Sequence, residues 1–150
     1  MDGVSKEGQK QTSTAASFAT FEEWMVTVPE DIRADPLWSF DAYRKALFLF
    51  DLVWTDCEQL MHDPRGRAII SQVVDSTGSI SANIEEGYGR GFGKDRDHFL
   101  RFSIGSARET RGWYFRSRHL LRPEVVKHRV GLISEIIALL VNEHSKHRHA

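Results

Sequence analysis

Apolar residues recur along most of this chain at the three-and-four spacing of amphipathic helices, and no stretch alternates as a strand would. Residues 1–17 are rich in Ser, Thr, Gln, Gly and Lys and predict a disordered tail. Phe18, Phe21, Trp24, Met25 and Val28 predict a short amphipathic helix over 18–28, ended by Pro29 and followed by a linker with Pro36. So short a helix persists only by docking its aromatic face. A long helix is expected from Ser39, as N-cap, to about Met61. Tyr43, Ala46, Leu47, Phe50, Val53, Trp54, Cys57, Leu60 and Met61 make its stripe. Phe48, Leu49 and Leu52 lie off that stripe, so this helix needs a second partner.

Asp63-Pro64 reads as an N-cap with proline at the first helical position. The second long helix runs from there to about Tyr88, with Ile69, Ile70, Val73, Val74, Thr77, Ile80 and Ile84 on one side. Gln72, Ser76, Ser79, Asn83, Glu86 and Arg90 form a polar stripe beside them. Gly87, Gly89, Gly91 and Gly93 then mark a corner, with a left-handed helix stop expected at Gly87 or Gly89. These glycines follow a helix, not a strand, which argues against a phosphate-cradling loop. A third helix starts near Lys94 and runs to about Leu121. Its expected core face is Phe99, Phe102, Ser106, Glu109, Trp113, Ser117 and Leu120, with Gly105 and Gly112 marking a close approach on another side. Pro123 opens a fourth helix whose apolar residues, Leu132 to Val141, cover most of its circumference, and whose polar end from His144 is expected to fray. The fold class is therefore all-α: an antiparallel up-down-up-down four-helix bundle over 39–150, preceded by an extension over 18–38 that contains a short extra helix.

A chain of 150 residues fits one such domain. A lone cysteine, Cys57, excludes an intrachain disulfide and reads as a buried thiol. No signal-peptide pattern and no apolar run of membrane-spanning length is present, so a cytoplasmic protein with no membrane partner is expected. The net charge of −1 hides a split. Residues 1–87 carry 15 acids against 7 Lys and Arg, and residues 88–129 carry 4 against 11. Such a split suits an anionic partner or pairing between the halves.

Three segments in register carry a family resemblance. Ser79, Ile80, Asn83, Ile84, Glu86, Gly87, Gly89 and Arg90 resemble the S-I-x-x-N-I-A-E-G-x-G-R signature of a bacterial four-helix-bundle family, with Glu85 in place of its usual alanine. That family comprises 23S rRNA intervening-sequence proteins and the accessory variability determinants of diversity-generating retroelements. Phe99-Leu100 with Gly105, Ser106 and Glu109 resembles its third-helix signature, and Phe40 to Ala46 its opening motif. The resemblance covers about residues 40–142. It implies a barrel-shaped homopentamer that binds nucleic acid beside a reverse transcriptase. The apolar residues outside the main stripes of the first and fourth helices also suit a homo-oligomer.

No enzyme is expected, since no nucleophile pairs with a base. No cofactor or metal is expected either: Glu-x-x-His is absent, Asp95-x-x-His98 stands alone, and His144 with His147 reads as a solvated tail. The chemistry that stands out is a line of arginines on the third helix. Arg101, Arg108, Arg111, Arg118 and Arg122 fall within one arc, with Phe115 inside it and Tyr114 at its flank. Arginine grips phosphate bidentately and stacks on bases, so the arc is the candidate site for RNA or DNA. Glu86 with Arg90 reads either as an exposed helical pair or as part of a buried network. Two functions stay open: a non-catalytic nucleic-acid-binding accessory protein, and a structural or protein-interaction oligomer. In the second, the arginines pair with acids such as Asp51, Asp56 or Glu58.

Overall fold

The computed structural model describes residues 20–91 and 93–148. The expected tail over 1–17, Phe18 and His149 lie outside the described residues. Among the described residues six α-helices form: α1 (Phe21–Met25), α2 (Glu30–Arg33), α3 (Asp41–Leu60), α4 (Pro64–Gly89), α5 (Lys94–Arg116) and α6 (Pro123–Arg148), with single 3-10 turns at Pro36–Ser39 and Ser117–His119.

Cap chemistry places most of the boundaries. Asp63 accepts the Arg65 backbone N–H at 2.8 Å and Pro64 opens α4, as the sequence pattern predicts. Pro123 likewise opens α6. Ser39, the expected cap of the first long helix, instead closes the 3-10 turn, and Phe40 precedes α3 with no side-chain cap. α6 stays helical through Arg148, past the expected fraying at His144, which packs against Asp97 of α5.

The four long helices close a bundle. α3 packs on α4, α4 on α5, α5 on α6, and α6 back on α3. Contacts across the seams fix their directions. Tyr43 meets Glu85 while Leu60 meets Gly66; Ser103 meets Ile80 while Thr110 meets Ser76; Arg111 meets Ser134 while Asp97 meets His144. Each seam is antiparallel, so the chain runs up, down, up, down. The core joins Leu49, Val53 and Leu60 of α3, Val73, Ile80 and Ile84 of α4, Leu100, Ala107 and Tyr114 of α5, and Ile133, Ile136 and Leu140 of α6.

The stripe of α3 is shifted from the expected one: Leu49 lies in the main core and Trp54 and Met61 are exposed, while a second, smaller core takes up Phe48 and Leu52. Trp24 of α1 is buried against Phe48 and Leu52, with Phe21, Met25 and Trp38 around it. Its indole N–H donates to Asp51 at 2.7 Å. The extension is thus the second partner α3 requires.

The face that α5 turns inward is rotated from the expected one. Leu100, Ser103, Ala107, Thr110 and Tyr114 are buried, whereas Phe102 is 49% exposed and Phe99 and Trp113 are half-buried. The reason lies in the α4–α5 seam, which is made of small and hydroxyl side chains. Ser103 donates to the Ile80 carbonyl at 2.7 Å, and Thr110 Oγ1 lies 3.0 Å from Ser76 Oγ. Small residues let the helices close, and their hydroxyls find partners inside. The large rings are left at the rim.

The corner after α4 also differs from expectation. Gly87 and Gly89 remain in the helix, and the positive-φ residues are Gly91 (φ 88°) and Gly93 (φ 90°). Gly87 is required for another reason. It is buried, and a β-carbon there would lie 2.8 Å from Phe99 Cβ and 3.3 Å from the Arg96 carbonyl oxygen.

Candidate functional site

The arginine line of α5 is broken by the end of the helix. α5 stops at Arg116, so Arg118 sits on the following 3-10 turn and Arg122 beyond it. Arg101 and Arg108 are exposed on α5 itself. Arg101 lies 3.9 Å from Asp97 and 3.3 Å from His98 Nδ1. Arg108 has no hydrogen-bond or ion-pair partner among the described residues. Arg111 belongs to a different environment: half-buried, it donates to Ser134 Oγ of α6 at 3.2 Å. Arg118 donates to the Phe115 carbonyl at 3.0 Å and lays its guanidinium 4.1 Å from the centre of the Phe115 ring. Arg122 pairs with Glu124 in the turn at 3.4 Å. Outside the predicted set, Arg116 lies over Trp113 at 4.7 Å, and Arg96, at the α4 side of the helix start, lies over Tyr88 at 4.9 Å. A guanidinium stacked on a ring can still donate in its own plane, as Arg118 does to the Phe115 carbonyl.

Of the α3 acids set against these arginines, Glu58 lines a groove with Arg122, whereas Asp51 and Asp56 are engaged elsewhere. Asp51 accepts from Trp24. Asp56 is buried and serves a network that the sequence pattern did not reveal. Arg129 of α6 grips it with two bonds, at 2.8 and 3.0 Å, and the Tyr114 hydroxyl donates to it at 2.7 Å. Arg129 also reaches His128 Nδ1 at 2.7 Å. Burial and then the Asp56 charge hold the Tyr114 hydroxyl well above its ordinary pKa. The same two causes push the Cys57 thiol up to about 11, which fits an unreactive core thiol. Burial, then Arg129, depresses His128. Tyr114 therefore does not flank the arginine arc but lies 1% exposed in the core. The available signal was Asp56 itself, an acid between Val53 and Leu60 on an otherwise apolar face.

The signature residues are accounted for by packing and local bonds. Asn83 donates to the Ser79 carbonyl at 2.7 Å, one turn back. Glu86 and Arg90 form an exposed i,i+4 pair at 2.9 Å, not a buried network. Glu109 accepts from the Trp113 indole at 3.3 Å, and the Ser106 carbonyl accepts from Thr110 at 2.8 Å. Gly105 faces outward, and a β-carbon there would meet no other atom within 4 Å, so it marks no close approach inside the chain. Glu85, the departure from the signature, accepts from the Tyr43 hydroxyl at 2.7 Å and ties α4 to α3. Among the described residues, no three His, Cys, Asp or Glu side chains gather as metal ligands would, and no helix is long and apolar enough to cross a membrane.

The sequence model of one family, 23S rRNA-intervening sequence protein, matches residues 39–142. No curated protein and no solved structure matches the chain. The match begins two residues before α3 and ends six before the last described residue of α6, so it takes in α3, α4, α5 and most of α6 and leaves out α1 and α2. With the helical bundle, the three motifs and that match in agreement, the chain belongs to the 23S rRNA-intervening sequence protein family.

Proposed function

We propose that this is a non-catalytic nucleic-acid-binding accessory protein that grips phosphates through the outer face of α5 and the turn after it. One observation carries the reading: Asp51 and Asp56 of α3 are engaged elsewhere, by Trp24 and Arg129, and Arg101, Arg108 and Arg118 are exposed, while Glu58, the other α3 acid set against them, lies in the groove beside Arg122. The stretch from 88 to 129, with 11 Lys and Arg against 4 acids, surrounds them with positive potential. Contacts of this kind favour phosphate without reading base order. Family membership and the retroelement resemblance suit a role beside a reverse transcriptase or an rRNA insertion.

An electrophoretic shift series tests this. RNA or DNA should be retained at about 50 mM salt and released steeply as salt rises, because each phosphate contact displaces counterion. Replacing Arg101, Arg108 and Arg118 together by Glu should abolish retention and leave the helical signal intact. Wild-type protein that retains neither RNA nor DNA at low salt overturns the proposal.

A second reading, a homo-oligomer with pentamer as its favoured form, is supported by another surface. Trp54 is 66% exposed and Met61 50% exposed, beside Ile70 and Val74 in the groove between α3 and α4. This groove shares no residue with the α5 face, so assembly through it leaves the arginines open. Light scattering should give a multiple of 17.2 kDa at micromolar concentration, and Trp54→Glu should return the monomer. A wild-type mass of one chain overturns the oligomer.

A further inference from the structure

We infer that the face of α5 takes unpaired, single-stranded nucleic acid, with Phe102 and Phe115 stacking on bases while Arg101 and Arg108 hold the backbone between them. This rests on the nucleic-acid reading above and goes beyond it by naming the strandedness and the base contacts. Phe102 is 49% exposed and Phe115 58% exposed, and neither belongs to either hydrophobic cluster. Two large rings left in water on the most basic part of the chain are not explained by phosphate binding alone. A duplex offers such a surface its phosphates and hides its ring faces, whereas an unpaired strand offers both.

The geometry suits a strand. Thirteen residues separate the two rings, which is about 20 Å along a helix rising 1.5 Å per residue. They stand on opposite flanks of the exposed face. Phe102 is next to Phe99, which packs at Gly87 of α4. Phe115 is one turn past Arg111, which reaches α6. A strand touching both crosses α5 obliquely. The surface it crosses is low at Gly105, where the space outside is open, and at Gly112 it is covered by the Arg116 guanidinium, a further cation on the path. Each ring already has a polar neighbour that stiffens it. His98 lies edge-on to Phe102 at 4.3 Å between ring centres, and the Arg118 guanidinium lies over Phe115. Glu109, the acid nearest this path, is occupied by the Trp113 indole N–H.

Fluorescence anisotropy with a labelled twelve-nucleotide thymidine strand, its uridine equivalent and a duplex of the same length separates the outcomes. Wild-type protein should prefer the single strands to the duplex by roughly tenfold or more at about 50 mM salt. Phe102→Ala and Phe115→Ala should each weaken single-strand binding roughly tenfold, the size expected of one lost base stack, without changing the salt slope. Phe115→Trp should restore it. Thermal unfolding should be unmoved, since both rings are exposed. Equal binding of single strand and duplex, untouched by either alanine, overturns this inference and leaves the phosphate-binding proposal standing. Absence of binding to all three probes overturns both. A drop in oligomer mass with unchanged binding assigns the two rings to a contact between copies, which also overturns it.

Discussion

At the scale of single residues, two glycines of one motif serve opposite ends. Gly89 ends α4 with open space around it, whereas Gly87 is pressed against α5. Gly89→Ala should therefore stabilise the fold by up to about 1 kcal/mol of helix propensity and raise the denaturant midpoint accordingly. Gly87→Ala should lower it, by about 1–3 kcal/mol, because overpacking against the Phe99 and Arg96 backbone region outweighs that gain. Equilibrium urea unfolding of the two variants checks the signs. Side by side, Tyr114→Ala should cost about 3–5 kcal/mol and Trp113→Ala clearly less, since only Tyr114 is enclosed. The buried thiol adds a pH dependence. Folded protein keeps Cys57 protonated up to about 11, while the unfolded chain ionises near the ordinary 9.0. Between those values the unfolded state binds fewer protons, so the Cys57 contribution to stability should be flat below about pH 9 and fall as pH rises toward about 11. Tyr43 and Tyr114, both raised above 10.0, extend the same downward slope. Midpoints measured from about pH 8 to about pH 11 should fall above about pH 9, and Cys57→Ala should remove the first part of the fall.

At the scale of elements, proline and aspartate chemistry made the starts of α4 and α6 readable from sequence, because a cap is a local event. The orientation of α5 was not. Its periodic pattern was read from bulk, and Phe102 and Trp113 outweighed Ser103, Ala107 and Thr110. What decides the matter is tertiary: α4 presents Ser76, Thr77 and Gly87, so the facing side of α5 must be small. The arginine face inherited this error, with Arg111 drawn into the α5–α6 seam and Tyr114 into the core. The extension, by contrast, was legible as a helix in need of a partner and α3 as a helix with apolar surface to spare. Their joint is local enough to release alone. Trp24→Ala should free residues 20–38 while the bundle persists, seen as hydrogen exchange that loses protection in α1 and keeps it in α4 and α5. Loss of protection throughout would mean that the extension holds the bundle together.

At the scale of the whole molecule, acidic α3 and basic α5 are separated across a bundle in which α4 and α6 are their neighbours, and the Tyr114 hydroxyl links the two helices through Asp56. Charge is thus segregated by face, which is how a chain with a net charge of −1 keeps a basic side. The Asp56–Arg129–Tyr114 network joins three of the four long helices. Breaking a buried pair by removing one partner strands the other and costs about 3–5 kcal/mol, whereas replacing the set with apolar residues can be neutral. Asp56→Leu and Arg129→Met should each be more damaging than the two combined with Tyr114→Phe, which removes the buried hydroxyl that loss of Asp56 leaves without an acceptor, a cycle that urea unfolding reads directly. The consequence reaches beyond this chain. Every one-step change at these positions leads downhill, so descent by single substitutions is fenced in. Across the lineage, Asp56 and Arg129 should be kept as a couple or lost as a couple, and a chain with only one of them should be rare.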